Sequence, residues 1–202
     1  LTNETGAVSS TNVVNASTLN VTAQGGINLS NTGNTISTTS LTNAGAGNIT
    51  LVSGVDLTVS GVSQAGGGGT SVSAGGNLTF NGTANAGASL AATTTLGGKL
   101  FTNNAVISST GPVAITADQM ALNGGSSIST TGGTPSVTLT SETASVQIGI
   151  NEADGAGVLG LTAAELATIN VGTTVGNLLQ IGDAAHTGDI VNGGGSVTVT
   201  AP

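Results

Sequence analysis

Short runs of alternating apolar and small polar residues recur along this sequence, each ended by Gly, Asn or Ser, and that repeat limits what the chain can become. The clearest runs are Ile27–Ser30, Ile49–Val52, Leu78–Phe80, Val113–Thr116 and Val137–Thr140, with Val55–Val59, Met120–Leu122 and Val146–Ile148 between them. A period of two sends alternate side chains to a buried face and to solvent, as in a half-buried strand. Ile27 and Ile49 are separated by 22 positions and Val113 and Val137 by 24, within the ~20–50 residues of solenoid repeats. Asn81-Gly82, Asn123-Gly124 and Asn192-Gly193 are turn signals, because both residue types tolerate positive φ.

A unit of ~22 residues holding two or three short strands predicts one coil of a right-handed parallel β-helix. Stacked ~4.8 Å apart, roughly nine such coils would make a rod of ~40 Å. The structural alternative is an antiparallel sandwich, which needs hairpins and a bulky core anchor that a chain without Trp or Cys lacks. A left-handed hexapeptide helix would need a strict six-residue apolar repeat, which is not kept.

Composition agrees with a narrow interior. Phe80 and Phe101 are the only aromatics, so Val, Ile, Leu and Ala must fill the core. Charged residues make up only 5% of the chain and Gly numbers 34. Abundant β-branched residues nonetheless argue against disorder. The absence of Cys leaves stability to repeated backbone ladders. Net charge is −8 and Lys99 is the sole basic residue, so nucleic acid and anionic membrane are not expected as partners. Neither a bilayer-spanning apolar run nor a signal peptide is present, and the sequence reads as a portion of a longer chain.

One segment departs from the repeat. Leu161–Ile169 predicts a short helix over 162–169, with Thr162 as N-cap, Glu165 completing a capping box, and Leu161 and Leu166 placed for a hydrophobic staple. Strand signals resume at Asn177–Ile181, Asp189–Val191 and Ser196–Thr200. The expected organisation is therefore β-helix coils over 1–155, a helix-and-loop insertion over 156–176, and further coils over 177–202.

Few residues offer chemistry. Asp183, His186 and Asp189, three apart, could ligate a metal or share a proton, but such spacing also suits a solvated loop. Asn151–Gly155 has the acids of a loose calcium loop in Glu152 and Asp154, without the alternating ligands of an EF-hand. Calcium is the only cofactor these residues admit, and the expectation is none. Asn28, Asn48, Asn77 and Asn81 begin Asn-X-Ser/Thr triplets, which this composition produces by chance. They are expected to stack as amide ladders at coil corners. Gly66–Gly69 is followed by neither Lys nor a helix, so it reads as a loop and not a phosphate cradle.

Several stretches resemble a known family. Gly76–Phe80, Val113–Ala117 and Gly132–Gln147 are similar to the repeats of filamentous-haemagglutinin-like exoproteins. Leu161–Ile169, followed by Leu179–Gly182 and Gly188–Ile190, resembles a segment recurring in those adhesins. The resemblance implies a right-handed parallel β-helix, export across both Gram-negative membranes with an outer-membrane secretion partner, and display at or release from the cell surface. The family's N-terminal secretion domain is not recognisable in these residues.

The expectation is a non-catalytic rod segment of a large secreted adhesin that attaches to cells, glycans or biofilm matrix. The alternative is a self-assembling filament or matrix scaffold, with self-association along or between rods. A polysaccharide-active β-helix enzyme is a minor alternative: the nine acids are scattered and no Arg is present to stabilise developing charge. Ice binding is a further reading, prompted by Thr93–Thr95, although Thr-X-Thr is not repeated in register along the sequence.

Overall fold

The computed structural model describes residues 1–132, 136–173 and 175–194. All ladders between its strands are parallel, and the chain winds into a β-solenoid of about 6 turns. The sandwich alternative is thereby excluded. The stack is shorter than the nine coils expected from length alone, in part because a stretch of about one coil's length leaves it after Thr140. Ladder steps run from 19 (Val8 to Ile27) to 24 residues (Val113 to Val137), but Val137 next pairs with Leu179 and Ile128 with Ile169.

One face stacks eight strands, from Val8–Ser9 through Ile27–Leu29, Ile49–Ser53, Thr70–Ala74, Leu90–Thr94, Val113–Thr116 and Val137–Thr140 to Leu179–Ile181. A second face begins with the long strands Asn15–Ala23, Thr35–Asn43 and Leu57–Gln64. There the cross-section changes. Leu57–Val59 pair with Leu78–Phe80, whereas Val62 and Ser63 pair with Ala84 and Asn85. The corner Asn81-Gly82-Thr83 separates the two new strands, so a two-faced coil becomes three-faced. The third face continues through Leu100–Asn103 to Gln119–Leu122.

Registered stacking turns the sequence alternation into continuous columns. Ile27, Ile49, Thr70, Leu90, Val113 and Val137 form one interior column. Leu29, Leu51, Val72, Ala92, Ile115 and Leu139 form the next, and all six are fully buried. Each buried Leu or Ile contributes ~1.5–3 kcal/mol. The two aromatics meet in the three-faced coils, with Phe80 and Phe101 ring centres 5.8 Å apart.

Polar side chains complete the interior at corners. Asn43 Nδ2 donates to Gln64 Oε1 at 2.8 Å and to the Gly45 and Gly47 carbonyls, while Asn43 Oδ1 accepts from Gly26 N–H. Outer corners carry the expected amide ladders: Asn104 Nδ2 donates to Asn81 Oδ1 at 3.4 Å and Asn123 Nδ2 to Asn104 Oδ1 at 2.6 Å. Asn48 and Asn77 instead accept from the N–H groups of Gly69 and Leu100 one coil on. Asn28 faces solvent from its strand. Gly66–Gly69 is loop, as expected, and its backbone lies on the Gly45 and Gly47 carbonyls so closely that a Cβ on Gly66 or Gly68 would overlap them.

The helix is shorter than expected, spanning Ala163–Leu166 in place of 162–169. Its Thr162 N-cap and Glu165 capping box are both formed, Leu161 is buried and Leu166 packs against the core. It stops because Ile169–Asn170 is drawn into the second face against Ile128–Ser129, and Thr168 Oγ1 donates to the Glu165 carbonyl. The insertion starts before the expected boundary at 156. Gln147–Ile150 already lies outside the main faces, in a small parallel sheet between Val158–Leu161 and Ile190–Asn192. The chain then rejoins both main faces. The strand expected at Ser196–Thr200 lies outside the described residues.

Candidate functional site

Outward positions on the registered strands form columns of their own. Thr18, Thr38, Thr58, Thr79 and Thr102 stack in five consecutive coils, which puts one hydroxyl every ~4.8 Å. Thr22, Thr42, Ser63, Asn85, Ser108 and Ser129 form a parallel column on the same flank. Single threonines scattered through the sequence thus become a row. Only the coil register, which bulges by one residue between Thr39 and Ser40, reveals it.

Beside the threonine column lies an open groove of about 600 Å³, lined by Ser37, Thr38, Thr58, Asp56, Lys99 and a glycine edge that includes Gly54 and Gly75. A Cβ on Gly75 would stand 2.5 Å from the Gly54 carbonyl oxygen, so these coils approach closely only because the side chains are absent. Asp56 is held in place: Oδ1 accepts the Asn77 N–H at 2.7 Å, and Asn77 Oδ1 accepts the Leu100 N–H at 3.0 Å. Lys99 stands at the top of this relay. Among the described residues its ammonium forms neither an ion pair nor a hydrogen bond.

The residues singled out by spacing are placed differently. Asp183 Oδ1 accepts the N–H groups of Ala185 and His186 and so closes a turn. His186 Nδ1 lies 3.1 Å from Ser141 Oγ, and its buried Nε2 has no hydrogen-bond partner among the described residues. Asp189 is exposed and contributes its carbonyl to Ile148. Asp183, His186 and Asp189 are thus not brought to one point, and Ser141 is itself buried. Among the described residues no group of three or more His, Asp or Glu could hold a metal ion.

Glu152 and Asp154 also diverge. Glu152 lies over Gly149 and Gly193. Asp154 is exposed on its outer side, yet its carboxylate accepts Met120 N–H at 3.0 Å and Gly160 N–H at 2.8 Å. Burial between these strands, reinforced by the nearby Glu165 charge, outweighs the two hydrogen bonds and pushes its carboxyl up to about 6. Asp118 behaves oppositely. Burial raises it, but donors on Thr143, Gly98 and Glu142 overcome that and hold it below the usual carboxylate value. Glu142 is raised, first by burial and then by the Asp118 charge. Neither Asp118 nor the Lys99 groove stood out in the sequence, because each is assembled from residues 20 or more positions apart.

No protein-family model, curated protein or solved structure matches the chain. The fold and its surface chemistry therefore carry the functional argument.

Proposed function

We propose that this chain is a non-catalytic rod segment of a secreted bacterial surface adhesin, attaching to glycans of cells or biofilm matrix. The observation that supports this reading is the in-register column Thr18, Thr38, Thr58, Thr79 and Thr102 on a rigid flank. Each hydroxyl both donates and accepts, as sugar hydroxyls do. One such bond contributes only ~0.5–1.5 kcal/mol net, so useful affinity needs several rungs acting together on a surface already held in place. The stacked backbone supplies that preorganisation. A neutral row also binds a polyol without stripping water from charges. The resemblance to filamentous-haemagglutinin-like exoproteins adds cell-surface display, secretion and an outer-membrane partner to this proposal.

The test is binding to a panel of neutral glycans and to intact cells, with light scattering run in parallel. Saturable glycan binding that is lost in Thr79→Lys and Thr102→Lys supports the adhesive reading. Binding unaffected by both substitutions removes the column from it. Concentration-dependent assembly without glycan binding favours the filament or scaffold.

A further inference from the structure

We infer that Asn123-Gly124 is a self-modification site, at which the chain converts its own amide to a carboxylate through a cyclic imide. The sequence holds three Asn-Gly pairs, beginning at Asn81, Asn123 and Asn192. Glycine in second place leaves the attacking backbone nitrogen unshielded by a side chain. The fold treats the three pairs differently. Gly82 is packed on the Ser60 carbonyl so closely that a Cβ would overlap it. Gly193 N–H donates to the Ile150 carbonyl at 2.9 Å, at the end of the insertion's sheet. Gly124 is exposed, and nothing beyond its chain neighbours lies within 4 Å of where its Cβ would stand. Among the described residues its N–H donates to no group.

The chemistry needs only water. The Gly124 nitrogen attacks Asn123 Cγ, forming the new N–Cγ bond. The Cγ–Nδ2 bond breaks, and Nδ2 leaves as ammonia with the proton that the Gly124 nitrogen gives up. One water then opens the imide. Cleavage on the Cγ side leaves Asp, whereas cleavage at the main-chain carbonyl leaves isoaspartate and an extra methylene in the backbone. Asn123 is also the last rung of the corner ladder, since no strand follows Gln119–Leu122 on the third face. Its Nδ2 donates to Asn104 Oδ1, and Asn104 Nδ2 donates in turn to Asn81 Oδ1. A carboxylate at this rung can only accept. Asn104 must then turn its amide to donate toward it, and Asn81 must follow. Among the described residues these two side-chain amides make no other hydrogen bond, so the ladder reverses without losing one. A change at one exposed corner is thereby passed two coils down the rod.

The experiment incubates the full chain at mildly alkaline pH, folded and in urea. Each sample is then unfolded, digested with a protease that cuts after Asp and Glu, and read by mass spectrometry. The fragment 119–142 carries Asn123 as its sole Asn. An Asp product adds a new cut within it, and an isoaspartate product resists that cut. The expected result is that Asn123 converts severalfold faster than Asn81 or Asn192 in the folded chain, and at a similar rate to both in urea. Equal rates at the three pairs in the folded chain overturn the site, as does an unmodified Asn123. Gly124→Ala, whose Cβ meets open space, should keep the fold by circular dichroism and slow the conversion severalfold. Conversion as fast as in wild type overturns the imide route. Asn123→Asp tests the ladder separately: the side-chain amide resonances of both Asn104 and Asn81 should shift, and an unmoved Asn81 amide overturns the reversal.

Discussion

Met120 donates its backbone N–H to the Asp154 carboxylate at 3.0 Å, and two positions on Leu122 donates to Glu165 at 3.1 Å. Gln119–Leu122 is the last strand of the third face, so these are donors that a further strand would have satisfied. Two carboxylates replace that strand's carbonyls, and each ties back into the insertion: Asp154 to Gly160 and Glu165 to Thr162. An open edge is thus closed by side chains.

The Asp154 bridge makes the insertion pH-sensitive in an unusual direction. Its folded pKa, about 6, lies above the ordinary value of 3.8, so the fold favours the protonated acid. The corresponding stability is fully present below pH ~4 and is lost as pH rises through ~6. Thermal stability of the insertion should therefore increase between pH 7 and pH 5. Asp154→Asn should flatten that window, as followed by amide exchange at Met120 corrected for intrinsic rate.

Asp118 predicts the reverse at lower pH. Its folded pKa is depressed, so its contribution is present above ~3.8 and disappears as pH falls through the lower folded value. Acid unfolding below pH ~4 should begin where Asp118 joins Gly98 to Thr143. Asp118→Asn should shift its midpoint to higher pH, and an unchanged midpoint would remove this carboxylate from the acid response.

Glu165→Ala removes the capping-box partner of Thr162 and the acceptor for Leu122 at once. The expected cost is ~1–3 kcal/mol. Because the main coils bond to one another directly, the loss should appear as faster exchange at Leu122 and in 158–168, with the ladders of the first three coils unchanged.

Phe101→Ala empties one half of the aromatic pair in the three-faced coils. A loss of ~3–5 kcal/mol is expected from denaturant unfolding. Gly75→Ala should also destabilise, since its Cβ would meet the Gly54 carbonyl at 2.5 Å. A neutral result there would mean that the coils can part at the groove.

Alternation and turn residues made the coil legible in the sequence, because both act within a few positions. Thr162 and Glu165 made the helix start legible for the same reason. Its end was not, since Ile169 is recruited by Ile128, 41 residues away. The spacing of Asp183, His186 and Asp189 suggested a shared site, but local turn bonds hold Asp183 and direct His186 toward Ser141. The threonine column depends on steps that vary between 20 and 23 residues. A fixed period read along the chain blurs such a column, whereas stacking restores it.

Ile169 and Leu179 resume their ladders one rung after Ile128 and Val137, as if residues 141–168 had not intervened. Reach and chemistry can therefore evolve separately in such a rod. Duplicating a coil lengthens it by ~4.8 Å, while a detour spliced in at a corner adds a new surface at constant length. Selection can try such detours one at a time without disturbing the spine on which the others stand.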